Sequence, residues 1–288
     1  MAGKTGMNAP DKAFLSRQYN NRELVPDHPQ YFARWTEASA RAASTMAAQL
    51  DRRYGSMPGE AVDIFPARKG DGSCMMFIHG GYWRSLDKKN FSFLAPAWVD
   101  AGVSLAVVNY DLCPGVTMDE IVRQMLRASR WLWLHAEDYG MDRDRLYVSG
   151  HSAGGHLVAM LMSTDWAASG LPADVIRAGC GISGLYDLEP IRLSYLNDVL
   201  RLTPEVARLH SPIHHAPSRA GRLLLTVGAL EGPEYLRQSE ALARAWSSRG
   251  LRSETVEMAG HHHFSIVAEL EDPKSELSRR LARQMELA

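Results

Sequence analysis

Ser152 lies in the stretch Gly-His-Ser-Ala-Gly-Gly-His, residues 150–156, a G-x-S-x-G arrangement in which a serine hydroxyl can serve as a nucleophile. The match is short, and a helix-capping serine in a glycine-rich turn fits it as well. A serine needs a base to take its proton, and the base usually needs a carboxylate behind it. Candidates for both lie downstream: the imidazoles of His261, His262 and His263, and the carboxylates of Glu231, Glu234 and Asp187. Upstream, the run His79-Gly80-Gly81-Tyr82-Trp83 is a loop whose backbone N–H groups could bind an oxyanion together with the amide of Ala153, the residue after the nucleophile.

These pieces do chemistry only if the fold brings them together. Apolar runs of strand length, "AVDIFPA", "CMMFIHG", "VSLAVVNY", "RLYVSGHS", "IRAGCGISG", "RLLLTVGAL" and "SETVEMAG", alternate with helical patterns near Phe91 to Ala101, Met118 to Tyr139, Ala153 to Thr164, Glu234 to Arg249 and Phe264 to Leu287. Runs such as Val103 to Val108 are apolar without alternation, as expected of parallel strands covered on both faces by helices. The fold class expected is therefore α/β, with a mostly parallel central sheet. In such sheets ligands bind beyond the carboxyl ends of the strands. Each candidate group follows a strand: His79 after "CMMFI", Ser152 after "RLYVSG", Glu231 after "RLLLTVG" and His261 to His263 after "SETVEMAG".

Residues 1–60 read as an N-terminal helical arm, with one long helical stretch from about Tyr31 to Tyr54, and residues 61–288 as the catalytic unit of a single globular domain. Between Tyr186 and Ala216 the alternation breaks, and residues 186–216 read as two short helices and a loop, a cap insertion.

Composition narrows the function. The chain has 288 residues, 45% of them apolar, with 32 Lys plus Arg against 33 Asp plus Glu. It can bury a large core, and its balanced charge argues against nucleic acid or an anionic membrane as partner and for a small-molecule substrate. The N-terminus shows no apolar leader, and no stretch offers about 18 uninterrupted apolar residues for a membrane span, so a soluble, cytoplasmic protein is expected. Cys74, Cys113 and Cys180 are widely spaced and odd in number, which fits buried thiols better than disulfides or a metal knuckle. Three consecutive histidines in one loop rarely converge on one ion, and no H-E-x-x-H accompanies them; no metal and no cofactor are expected.

Taken together, "HGGYW", "GHSAGGH", "VGALEGPEYLRQS" and "GHHHFSIV" resemble the kynurenine formamidase (arylformamidase) branch of the α/β-hydrolases, related to the HGG esterases of the hormone-sensitive-lipase type. The resemblance runs from about Phe65 onward. "QYNNRELVPDHPQYFARW" is similar to the N-terminal segment of bacterial members, and "VNYDLCP" to a post-strand turn of the superfamily. It implies Ser152 as nucleophile, Glu231 at the acid position and His263, directly before Phe264, as base. Gly80, Gly81, Tyr82 and Ala153 would form the oxyanion hole. Tyr82, Trp83 and His151 are candidates for substrate contact, His79 for a structural role in the loop, and His151 and His156, flanking the turn, for packing or rim positions; His210, His214 and His215 stay unassigned. The implied activity is acyl transfer through an acyl-enzyme, with an N-formylkynurenine-type aryl formamide as representative substrate. A carboxylesterase or amidase for another small substrate, a catalytically silent ligand receptor, and a homodimer remain open beside it.

Overall fold

The computed structural model describes residues 11–217, 221–251 and 253–287; the first ten residues of the expected arm lie outside them. Among these residues eight strands make one sheet: β1 (Gln49–Arg53), β2 (Ala61–Phe65), β3 (Cys74–Ile78), β4 (Ser104–Val108), β5 (Leu146–His151), β6 (Ala178–Ile182), β7 (Arg222–Gly228) and β8 (Ser253–Met258). Their spatial order is β1-β2-β4-β3-β5-β6-β7-β8. From β4 to β8 the neighbours are parallel, while β1 and β2 run antiparallel at one edge. This is the α/β-hydrolase fold.

The helices are α1 (Lys12–Gln18), α2 (Asn21–Leu24), α3 (His28–Thr45), α4 (Ala95–Asp100), α5 (Met118–Leu134), α6 (Ala153–Met162), α7 (Glu189–Arg192), α8 (Asn197–Leu200), α9 (Pro204–Leu209), α10 (Pro233–Ser247) and α11 (Glu276–Gln284). Side chains of a strand alternate between faces, and the buried core divides accordingly. Cys74, Met76 and Ile78 of β3 pack with α5, α6 and α10, whereas Met75 and Phe77 pack with Trp35 of α3, Trp98 of α4 and Leu277 and Leu281 of α11. Burial on both faces is why the inner strands read as unbroken apolar runs.

Three expectations change. The helical stretch expected over Tyr31 to Tyr54 ends at Thr45, where Met46 turns extended (φ −93°, ψ 157°), and residues 49–53 form β1. The polar sequence Gln-Leu-Asp-Arg-Arg gives no strand pattern because this edge strand is largely exposed and owes its conformation to pairing with β2. The helix expected from Phe264 to Leu287 is interrupted at Pro273, which lacks an amide hydrogen. A 3-10 turn covers Ser265–Glu271, and α11 restarts after Ser275, whose side chain caps it by accepting from the amide of Ser278. Residues 186–216 hold three short helices, α7 to α9, rather than two, followed by a 3-10 turn at Pro212–His214.

Helices α1 to α3 lie across the sheet: Leu15 and Tyr19 join one core and Trp35 the other. Among the described residues no helix is long and apolar enough to cross a membrane.

Candidate active site

Ser152 occupies the turn between β5 and α6 with φ 57° and ψ −117°, a conformation that non-glycine residues adopt only where the surroundings enforce it. Its amide donates to the Ile182 carbonyl (2.8 Å) and its carbonyl accepts from the His156 amide (3.2 Å). The reversal is so tight that a Cβ on Gly154 would stand 2.0 Å from the Ile78 carbonyl oxygen, which is the physical reason for glycine two positions after the serine.

His263, in the loop after β8, places Nε2 3.1 Å from Ser152 Oγ and Nδ1 2.7 Å from Glu231 Oε2. Glu231 follows β7. Its other oxygen accepts from the Gly228 amide (2.7 Å) and the Ser183 hydroxyl (2.5 Å), so the carboxylate is fixed at both ends although its side chain is only 1% exposed. This Ser–His–carboxylate chain can pass a proton from Oγ to Nε2 while the acid holds Nδ1–H.

The remaining candidates point elsewhere. His261 lies 3.3 Å from Glu269, and His262 meets the Tyr31 hydroxyl at 3.1 Å while its Nδ1 accepts from the amides of Phe264 and Ser265. Glu234 binds the Tyr19 hydroxyl (2.8 Å) and Arg237, and Asp187 accepts from the amide of Glu189 at the start of α7. Of these candidates His263 meets Ser152, and Glu231 is the carboxylate that meets His263 Nδ1.

The loop after β3 faces Ser152. Gly81 has φ 107°, and a Cβ there would lie 2.0 Å from the Ser85 carbonyl oxygen, so no other residue fits. None of the hydrogen bonds among the described residues uses the amides of Gly81, Tyr82 or Ala153, and Ala153 begins α6, where the helix dipole favours negative charge. These amides are free to bind an oxyanion. The Gly80 carbonyl faces Nδ1 of His79 (2.7 Å), a buried ring stacked on Tyr110 with centroids 4.2 Å apart and close to Asn109 Oδ1 (3.1 Å). Burial lowers the pKa of His79 and keeps it in a structural setting.

Tyr82, also at positive φ, anchors the loop to the N-terminal helices. Its hydroxyl donates to the Tyr19 carbonyl (2.7 Å) and accepts from the Tyr235 hydroxyl (2.5 Å), while Asn21 Nδ2 reaches both phenol oxygens at 3.1 and 2.7 Å. Burial raises the pKa of Tyr82 and Tyr235, so both stay phenols. The Tyr235 ring lies 4.8 Å from that of His263. Sequence reasoning missed Asn21, Tyr235 and Ser183. Ser183 follows β6 directly and the position rule could have found it; no sequence signal marks Asn21, which meets Tyr235 across 214 residues.

A cavity opens above Ser152. Tyr82 and His151 line it, as do Asn21, Arg22, Phe32 and Trp35 of the N-terminal helices and Tyr195 from the 186–216 segment. Trp83 does not. It is fully buried, edge-on to His156 at 5.0 Å, because its positive φ turns the ring down into the core. His156 donates to the His210 carbonyl, His210 pairs with Asp119, and His215 binds the Leu209 carbonyl. None of these, nor His214, lines the cavity. Among the described residues no group of three or more His, Cys, Asp and Glu is placed to hold a metal ion.

The chain is similar to known proteins in sequence and in fold. Residues 62–174 match the BD-FAE family. The chain is 31% identical over 287 residues to a kynurenine formamidase of Salmo salar, covering 96% of this chain and 95% of that one. It is 32% identical to a kynurenine formamidase of Danio rerio over 85% of this chain and 84% of that one. A solved structure from Silicibacter sp. TM1040, provisionally named a thioesterase, superposes with a TM-score of 0.82 at 29% identity, covering 92% of this chain and 97% of that one.

Proposed function

Because the chain belongs to the kynurenine formamidase family of α/β-hydrolases, we propose that it hydrolyses aryl formamides of the N-formylkynurenine type through a formyl-serine intermediate. The observation that carries this reading is the hydrogen-bonded chain from Ser152 through His263 to Glu231, set opposite free amides in a family whose similar members are formamidases.

In this mechanism Ser152 Oγ attacks the formyl carbon as His263 Nε2 takes its proton. The charge that develops on the formyl oxygen is held by amides of the Gly80–Gly81–Tyr82 loop and of Ala153. The tetrahedral intermediate collapses as the imidazolium returns the proton to the nitrogen, releasing the aryl amine. Water, deprotonated by His263, then cleaves the formyl ester, giving formate and free Ser152. Glu231 keeps the imidazole in the tautomer with Nδ1–H and stabilises the imidazolium. No cofactor enters these steps. Tyr82 and His151 contact the substrate, and the N-terminal helices with the 186–216 segment form its roof.

The enzyme acts on a small molecule. A cytoplasmic location, supported by three buried unpaired thiols, and a homodimer without nucleic-acid partners complete the reading.

The test is kcat/KM for N-formyl-L-kynurenine beside p-nitrophenyl acetate, with Ser152→Ala as control. Turnover of the formamide at about 10⁴ M⁻¹s⁻¹ or better, abolished in the variant, is expected. Cleavage of the activated ester alone would leave an esterase and remove the formamide assignment.

A further inference from the structure

His263 is the last of three consecutive histidines, and the other two also have partners in the fold. The His261 carbonyl accepts from the amide of Leu230 (2.9 Å), next to Glu231, and its ring meets Glu269. His262 closes the turn that carries His263. Its Nδ1 accepts from the amides of Phe264 (3.2 Å) and Ser265 (3.3 Å), its own amide donates to Ser265 Oγ (2.9 Å), and its carbonyl accepts from the Ile266 amide (3.2 Å). Among the described residues neither the Phe264 nor the Ser265 amide has another partner.

This pattern is that of an asparagine in an Asx turn, whose side-chain oxygen accepts from the amides two and three residues on. In histidine Nδ1 takes the place of that oxygen, since both atoms are bonded to Cγ. The difference is that an imidazole can bind a proton. With Nδ1 accepting, the ring hydrogen belongs on Nε2, which lies 3.1 Å from the Tyr31 hydroxyl of α3, the two rings being edge-to-face at 5.0 Å. A protonated ring would set a third N–H against the two amides and undo both bonds.

We propose that His262 is a positioning residue for His263: its neutral Nε2–H form holds the turn that presents the base to Ser152, and its protonation releases that turn. The acid side of the activity profile is then governed by two histidines rather than one. Burial, the largest influence, lowers the pKa of His262 below its ordinary 6.5; Asp27, ahead of α3, raises it, His263 lowers it, Glu231 raises it and His261 lowers it. His28 of α3 faces the same loop across Phe264, with ring centroids 5.9 Å apart. This role rests on His263 being the base, and on no particular substrate.

The first test needs only the wild-type enzyme. Long-range ¹H–¹⁵N NMR of the histidine rings, assigned with His262→Asn, is expected to show His262 at about pH 7.5 as the neutral Nε2–H tautomer. The Nδ1–H tautomer or a cation at that pH overturns the role. The same spectra followed to about pH 4.5, with near-UV circular dichroism to keep unfolding apart, should show His262 gaining a proton below its ordinary pKa. A folded enzyme in which it gains none overturns the switch.

Kinetics supply the second test, on N-formyl-L-kynurenine and on p-nitrophenyl acetate. His262→Leu keeps the branch at Cγ without an acceptor and should lose about tenfold in kcat at about pH 8, with KM changed less than about threefold. His262→Asn keeps the acceptor and should stay within about threefold of the wild-type kcat. The ratio of wild-type to asparagine-variant kcat/KM should be flat above about pH 6.5 and fall on the acid side, by up to about tenfold per pH unit, because only the wild type has a second histidine to protonate. A leucine variant with wild-type kcat, equal losses in both variants, or a flat ratio while NMR shows His262 protonating overturns the role. If the ester alone is cleaved and shows this profile, the formamide assignment fails and the role of His262 stands. If both substrates are turned over and neither shows it, the reverse is true.

Discussion

His151 donates its Nε2–H to the main-chain carbonyl of His263 across 2.8 Å, with the two rings 4.6 Å apart. The residue before Ser152 thus holds the backbone of His263. Burial first, and the charge of His263 second, push the pKa of His151 well below its ordinary value, so the ring stays neutral and does not compete for the serine proton. His151→Phe leaves that carbonyl buried without a donor, at a cost of about 1–3 kcal/mol, and frees the His263 loop. Urea unfolding with parallel kinetics should show this loss and a fall in kcat of about tenfold, partly restored in His151→Gln, whose amide can donate. A phenylalanine variant with wild-type stability and kcat would remove His151 from the positioning of the base.

Glu231 allows a sharper test. One oxygen accepts from two donors and the other faces His263 Nδ1. In Glu231→Gln the amide oxygen satisfies Gly228 and Ser183, which leaves the amide NH₂ facing the imidazole and forces Nδ1 to become the acceptor. His263 then carries its proton on Nε2 and cannot take one from Ser152. A loss of about 10⁴-fold in kcat is expected with stability nearly unchanged. A loss below about tenfold would mean that Glu231 is not the orienting acid.

Asn21 joins the N-terminal helices to the catalytic frame through two phenol oxygens. Asn21→Ala leaves the Tyr235 and Tyr82 hydroxyls short of a donor and loosens α1 to α3 where they roof the cavity. Amide exchange in residues 12–45 should quicken by about one to two orders of magnitude, matching about 1–3 kcal/mol, and KM should rise more than kcat falls. Exchange as slow as in the wild type would show that apolar burial of Leu15, Tyr19 and Trp35 alone holds these helices.

Much of this site was legible because the parallel sheet forces chemistry to the carboxyl ends of strands, and Ser152, Glu231, His263 and the His79–Trp83 loop each follow one directly. Only the resemblance singles out His263 among His261 to His263 in the sequence; in the fold His263 is the imidazole that meets both Ser152 and Glu231. What stayed hidden depends on long-range packing. β1 is polar and exists by pairing with β2, Trp83 reads as a cavity residue until its backbone turns it inward, and Asn21 meets Tyr235 only when α2 docks across more than 200 residues of sequence.

A buried ion pair ties the loop after β3 to the sheet edge. Lys88 Nζ bonds Asp63 and Asp51, each at 2.7 Å, and Lys88 and Asp63 are almost wholly buried. Its amide also donates to Asn109, the partner of His79. Lys88→Met leaves the buried Asp63 carboxylate without its cation, with the Asp51 amide still donating to it, and should cost about 3–5 kcal/mol in denaturant unfolding. The double variant Lys88→Met with Asp63→Leu removes both charges and should recover most of it. A single variant within about 0.5 kcal/mol of wild type would mean that water reaches Asp63.

Buried histidines set the acid side of the stability profile. His79, His151 and His156 all have pKa values lowered by burial, that of His156 to about 3 from an ordinary 6.5 despite the bond to the His210 carbonyl. Below pH 6.5 the unfolded chain binds protons at these rings that the native protein does not, so stability falls as pH drops through that window and gains no slope from them above it. Each ring contributes up to about 1.4 kcal/mol per pH unit. Urea midpoints should be flat from about pH 7 to 8 and decline from about pH 6.5 to 5, before most carboxylates titrate. His156→Gln keeps a donor for the His210 carbonyl and removes one titrating group, so its decline should be shallower by about one proton. An identical slope in that variant would show that His156 is protonated in the native protein.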